Sequence, residues 1–217
     1  MFSISKTKFE QKIKSGEDFI IYKKVKNFNN DPHKSFINIV EKNKYSFIYE
    51  SVEGGINRGR YTICGFDPLI ILKINNKKAN LYKKKKNKLN QVKHNNTDPF
   101  KSLENLISNL KIRIGNSLPP MSSGVFGYLG YEAINYIEKI SKNKKKDILN
   151  LPDCLLFYPK NLFIYDNHEK DLFIIKAFIK GTYNKNIDNY SNIKKNIISD
   201  LNFINDYNET KLDFDLT

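Results

Sequence analysis

Arginine is nearly absent from this chain. Three residues, Arg58, Arg60 and Arg113, stand against 34 lysines. The shortage bears on nucleic-acid binding, the first reading that a net charge of +14 invites. Base and phosphate recognition leans on the guanidinium fork. The lysines instead fall in polar blocks with asparagine, Lys83 to Lys86 and Lys142 to Lys146, as solvated loops do. No aromatic RNP strand and no GXXG loop accompanies them, so nucleic acid is not an expected partner.

Long apolar runs are missing as well. Leu69 to Leu72 and Leu172 to Ile175 are among the longest, far short of the ~18–20 residues of a bilayer span. The first residues, MFSISKTKFEQKIKSGEDF, are broken by charge and offer no signal-peptide h-region. The expectation is a soluble, cytoplasmic protein with no membrane partner. The two cysteines, Cys64 and Cys154, sit in apolar, strand-like runs and are expected as buried, reduced thiols. Without clustered histidines they provide no metal-ligand spacing. His33, His94 and His168 are scattered through polar turns and helix starts, where a surface role is the plain reading. There is no Ser-His-Asp order, no G-x-S-x-G elbow and no dense acidic cluster for Mg2+. The chain displays no catalytic residues, no metal site and no cofactor of its own.

What is present suits one large domain or two small ones: 217 residues, 40% hydrophobic and 13% aromatic. A chain of this size can bury roughly 70% of its unfolded surface. Phe19 to Val25 is β-prone. Asp31-Pro32 opens a helix with a Phe36, Ile37 and Val40 stripe. Tyr45 to Glu50 reads as a half-buried strand, broken at Gly54-Gly55 and Gly59. Tyr61 to Phe66 and Leu69 to Ile74 are strands around an Asp67-Pro68 turn. Lys78 to Tyr82 returns as a hairpin strand, followed by a lysine-rich loop up to Thr97.

Asp98-Pro99 repeats the cap-plus-proline start. Leu103, Leu106, Ile107, Leu110 and Ile114 then recur at helical spacing up to Gly115. Gly124, Gly127 and Gly130 in an apolar segment predict a strand packed closely on another backbone. Ala133 to Ile140 reads as a short helix. Leu155 to Asp166 and Leu172 to Ile179 form a hairpin. Asp188 to Ile204 is an amphipathic helix carrying Ile193, Ile197, Leu201 and Ile204. Residues 1–207 are taken as the domain and 208–217 as a polar tail or linker. Helices mixed with antiparallel hairpins define an α+β fold.

The segment most unlike its background is ESVEGGINRGRY, Glu50 to Tyr61, with two arginines two residues apart. A strand ends at Glu50, a glycine turn reverses the chain, and Arg60 enters the next strand. Glu50 and Arg60 can meet at one mouth suited to a zwitterion. The carboxylate would face an ammonium, the guanidinium a carboxylate, and Ser51 would add a hydroxyl. The alternative is a local ion pair that closes a β-turn.

FIYESVEGGINRGRYTICGFDP, LPPMSSGVFGYLGYEAINYIE and LPDCLLFYPKNLFIYDNHEKDLFII, in this order, resemble the N-terminal region of anthranilate synthase component I. The three blocks cover most of residues 36–180. The relative aminodeoxychorismate synthase component I has a similar region. The resemblance implies the N-terminal part of an α/β/β/α sandwich of two antiparallel sheets with outer helices. It also implies a lyase of tryptophan biosynthesis that converts chorismate and ammonia, from glutamine, to anthranilate and pyruvate.

Its partners would be a C-terminal chorismate-binding half, which carries the Mg2+ glutamates and acid/base residues, and a glutamine amidotransferase subunit. L-Tryptophan would act as feedback inhibitor. The family's "L-L-E-S" element reads Ile48-Tyr49-Glu50-Ser51 here. It assigns Glu50 and Ser51, with Arg60 from the next strand, to the tryptophan site, and Tyr49 departs from it. The family's catalytic residues match no position in this chain. The expectation is a truncated product, a partial gene or half of a split enzyme, inactive alone. A stand-alone amino-acid-binding module is the other reading.

Overall fold

The computed structural model describes residues 2–53, 57–93, 98–110, 112–136, 138, 149–184 and 188–206. The Gly54-Gly55 turn, His94, the 142–146 lysine block, the end of the 133–140 helix and the 208–217 tail lie outside them. Among the described residues four α-helices, α1 (Lys6–Ser15), α2 (His33–Lys42), α3 (Pro99–Asn109) and α4 (Tyr190–Asp206), accompany eight strands. The strands are β1 (Phe19–Val25), β2 (Ser46–Glu53), β3 (Asn57–Asn75), β4 (Lys78–Lys85), β5 (Lys88–Val92), β6 (Phe126–Leu129), β7 (Cys154–Asp166) and β8 (Asp171–Phe178). A 3-10 turn spans Tyr131–Tyr136. The α+β class holds.

All eight strands join one antiparallel network, organised by the two longest, β3 and β7. One half of the sheet runs β1-β8-β7-β3-β2 and the other β6-β7-β3-β4-β5. Where the halves meet, Pro68 of β3 faces Pro159 of β7, and the register slips between Pro68 and Ile70. Proline has no N–H for a ladder. Opposing the two prolines gathers the lost donors at one bulge. Asp67 takes φ 58° there and pairs with Lys84. The expected Asp67-Pro68 turn is thus a bulge inside one continuous strand.

The expected lysine loop is also corrected. Lys83 to Lys85 lie in β4, and a second hairpin carries the chain into β5. The β3–β4 turn, Asn76-Lys77 (φ 48° and 64°), and the β4–β5 turn, Lys86-Asn87 (φ 49° and 62°), each have two consecutive left-handed residues. That is the tight hairpin geometry in which asparagine is favoured. Lysines on a terminal strand keep their ammonium groups in water and discourage further pairing.

Sheet and helices close three apolar clusters. Phe9 of α1, Phe36 and Ile39 of α2, and Ile193, Ile197 and Ile204 of α4 pack on Ile21, Cys64, Phe163, Leu172 and Ile174. Leu106 of α3 covers Ile70, Leu72, Ile74 and Leu156. Phe47, Ile63, Phe126, Phe157, Ile164 and Phe173 form the third. The last two strands of the central hairpin are therefore buried on both faces, which explains an apolar run in place of alternation at Leu172 to Ile175. Truncating a fully buried ring such as Phe36 would cost about 3–5 kcal/mol.

Two helical stripes differ from expectation. Ile37 and Ile107 are exposed, and Ile39 replaces Ile37 in the core. Asp98 caps α3 by accepting from the Phe100 and Lys101 N–H groups. The helix ends at Asn109, short of Gly115, where Ser108 and Asn109 side chains bond back to the Glu104 and Asn105 carbonyls.

Candidate functional site

Glu50 and Ser51 sit at the outer end of β2. Glu50 stands opposite Thr62 of β3 and Val52 opposite Arg58, so between these pairs the single residue Ser51 of β2 faces three residues of β3, Gly59 to Tyr61, and the surplus that makes the irregularity lies on β3. The Ser51 side chain is exposed and lies across Gly59, where a Cβ atom would come within 2.1 Å of its hydroxyl. Glycine at 59 is thus what lets β3 close on Ser51 at this irregularity. The Glu50 carboxylate reaches α2, with Oε2 3.3 Å from Nε2 of His33. Asp31 fixes the His33 backbone by accepting its N–H at 3.0 Å.

Arg60 is held by β7. Its Nε and Nη2 donate to Oδ2 of Asp166 at 3.1 and 3.0 Å, and the guanidinium lies 5.1 Å from the Tyr61 ring centre. The hydrogen bond and charge of Asp166 push the Arg60 pKa further up. Burial pushes the Asp166 carboxyl up, but Arg60 and the N–H groups of Glu169 and His168 outweigh it and hold the group below its ordinary value. The neighbouring Asn167 clamps the start of β3. Its amide donates to the Gly59 carbonyl (2.9 Å) and Thr62 Oγ1 (3.2 Å), and its N–H donates to the Arg60 carbonyl (2.7 Å).

The three candidates therefore occupy one end of the β2–β3 ladder. Glu50 and Arg60 are engaged by different elements, Glu50 by α2 and Arg60 by β7. Asp166, Asn167 and His33 are the supporting residues that sequence reasoning missed. Asp166-Asn167 read as a hairpin turn, and its reach across 106 positions to Arg60 leaves no local signal.

Tyr49, the departure from the family element, is also structural. Its ring packs on Phe47 (4.7 Å between centres), and its hydroxyl bonds Gly127 of β6. Cys64 and Cys154 are buried and free, and burial drives their thiols up to about 12 and about 11. Among the described residues no group of three or more His, Cys, Asp or Glu is arranged to hold a metal ion. Nor is any described helix long and apolar enough to cross a membrane. A groove of about 790 Å³ beneath α3, lined by Asp18, Lys83, Asn105, Leu106 and Lys180 among others, contains none of the candidate residues.

The fold is that of a mixed helix and strand chain built on a curled antiparallel sheet. It matches the crystal structure of anthranilate synthase component I from Streptococcus pneumoniae with a TM-score of 0.52 and 18% identity, over 86% of this chain and 38% of that one. In sequence the chain is similar to the N-terminal part of anthranilate synthase component 1 from several species. The Cereibacter sphaeroides protein is 28% identical over 167 residues, 77% of this chain and 33% of the relative. The probable anthranilate synthase component 1 of Schizosaccharomyces pombe is 30% identical over 144 residues, 66% of this chain and 25% of the relative. No protein-family model matches. The chain spans between a quarter and a third of the length of these curated relatives.

Proposed function

We propose that this chain is the N-terminal regulatory and structural portion of an anthranilate synthase component I. In this reading it works with a chorismate-binding region, which converts chorismate and ammonia to anthranilate and pyruvate. A glutamine amidotransferase subunit supplies the ammonia. The Mg2+ implied by the resemblance belongs to the chorismate-binding region, as do the catalytic residues. The curled sheet forms part of an α/β/β/α sandwich that this second region completes. The observation that carries the reading is the ordered triplet of blocks around Glu50–Tyr61, Ser122–Glu132 and Leu155–Asp166, supported by relatives of one description.

In the same proposal Glu50, Ser51 and Arg60 contribute to a feedback site for L-tryptophan. Occupancy there biases the arrangement of the two regions, a coupling between sites. The test is reconstitution with a chorismate-binding region and the amidotransferase, following anthranilate fluorescence. Anthranilate formed only by the assembled parts, and inhibited by tryptophan less strongly after Ser51→Ala, supports the reading. Formation of aminodeoxychorismate in place of anthranilate would move the chain to the folate-pathway relative. Sub-micromolar tryptophan binding by the chain alone, with no activity in any assembly, would favour a stand-alone amino-acid-binding module.

A further inference from the structure

Among the described residues, strands β2 and β6 pair with one neighbour each, β3 and β7 respectively. The curl of the sheet brings these two edges together, and side chains, not a backbone ladder, join them. Phe47 of β2 stacks on Phe126 of β6 with ring centres 4.6 Å apart and planes at 22°. Beyond that stack, the Tyr49 hydroxyl accepts the Gly127 N–H at 3.0 Å and donates to the Gly127 carbonyl at 2.8 Å. In a hydrogen-bonded antiparallel pair, one residue satisfies both the N–H and the C=O of the residue opposite. Tyr49 does this with a single phenol.

Gly127 is seated to receive that hydroxyl. It runs at φ 145°, and a Cβ there would stand 1.9 Å from the Leu155 carbonyl oxygen. The inner side of Gly127 is therefore pressed on β7 with no slack, and its outer side is held by Tyr49. Glu50 and Ser51 follow Tyr49 directly on β2.

We infer that Tyr49 is a positioning residue: its hydroxyl clasps β2 to β6 and so fixes the Glu50–Ser51 end relative to the Gly127 strand. Resting on the proposed tryptophan reading of that end, the clasp is also the route by which occupancy at Glu50 and Ser51 reaches β6.

The test is Tyr49→Phe in the full, isotope-labelled chain, which keeps the ring and its stacking and removes the hydroxyl. Amide exchange at Gly127 is expected to accelerate about five-fold, with the Glu50 and Ser51 amide resonances displaced. Unchanged exchange at Gly127 would overturn the clasp. Faster exchange with Glu50 and Ser51 unmoved would overturn its positioning role. Titration with L-tryptophan adds a second arm. Shifts at Glu50, Ser51 and Gly127 in the wild type, lost at Gly127 in Tyr49→Phe, support the route. Shifts at Glu50 and Ser51 that leave wild-type Gly127 still overturn it. A titration that moves neither Glu50 nor Ser51 overturns the tryptophan reading, while the exchange arm still decides the clasp.

Discussion

Arg60 and Asp166 share one carboxylate oxygen: both Nε and Nη2 of the arginine donate to Oδ2, and Oδ1 accepts the His168 and Glu169 N–H groups at 3.0 and 3.2 Å. One side chain thus ties the start of β3 to the turn that joins β7 and β8. Asp166→Ala strands two backbone donors and a guanidinium and should lower stability by about 1–3 kcal/mol in urea unfolding. Arg60→Ala should cost less, because the guanidinium is half exposed and water replaces its partner.

The pH dependence of that lock has a definite sign. Asp166 is held below its ordinary value in the folded protein. Its contribution is complete above the unfolded value of about 3.9 and is lost as pH falls through the lower folded value. The stability gap between wild type and Asp166→Asn should therefore hold from neutrality to about pH 4 and narrow below it. A gap unchanged in strong acid would remove ionised Asp166 from the account.

Two glycines that look alike in sequence should behave oppositely. Gly124 has nothing within 4 Å of where a Cβ would sit, whereas Gly127 has the Leu155 carbonyl oxygen at 1.9 Å and φ 145°. Gly124→Ala should change stability by less than about 1 kcal/mol. Gly127→Ala should cost about 3 kcal/mol or more, because β6 must leave β7 to admit the methyl group. Thermal unfolding of both variants checks the contrast.

The same pair marks what was legible in the sequence. Regular spacing revealed α4 through Ile193, Ile197 and Ile204, and Asp98-Pro99 revealed the start of α3, because these signals are local. The glycine triplet pointed to close backbone approach, but only a register can say that Gly127 makes the contact and Gly124 does not. The β4–β5 hairpin stayed hidden because lysine conceals strand alternation on an exposed edge. At the candidate site, Glu50, Ser51 and Arg60 were readable from one segment. Their holders His33 and Asp166, and Tyr49's hold on Gly127, depend on how distant strands fold together.

Lys176 presents a buried charge that no sequence pattern announced. Its side chain is 5% exposed, and Nζ donates to Asn161 Oδ1 and Asp200 Oδ2, both at 2.6 Å. Burial drives its pKa down, and the charge and hydrogen bond of Asp200 push back. Asp200→Ala should cost about 3 kcal/mol, the low end for breaking a buried pair, since Asp200 is partly exposed. Lys176→Met should cost less than Asp200→Ala, because the buried charge itself disappears and the Asp200 carboxylate left behind reaches water, the remaining cost being the donor lost by buried Asn161. With the folded value below the unfolded one, the unfolded chain holds more protons, so stability rises with pH across that interval. The Asp200→Ala deficit should shrink as the solution becomes alkaline.

Ser51 and Gly59 should be energetically coupled. A methyl group at 59 would meet Ser51 Oγ at 2.1 Å, Ser51 Cβ at 2.6 Å and the Ser51 carbonyl carbon at 3.0 Å. Gly59→Ala should therefore cost about 1–3 kcal/mol. Adding Ser51→Gly removes the two closest of these contacts, so the double variant should be more stable than the sum of the single changes by about 1 kcal/mol. Urea unfolding of the four proteins measures that coupling, and strict additivity would mean that Ser51 does not lie on Gly59. Because Gly59→Ala displaces the Ser51 hydroxyl without deleting it, it also tests the proposed feedback site by a second route. In the reconstituted enzyme, Gly59→Ala and Ser51→Ala should both weaken inhibition by tryptophan. Inhibition indifferent to both would take Ser51 out of the site, because neither the presence nor the placement of its hydroxyl would then matter.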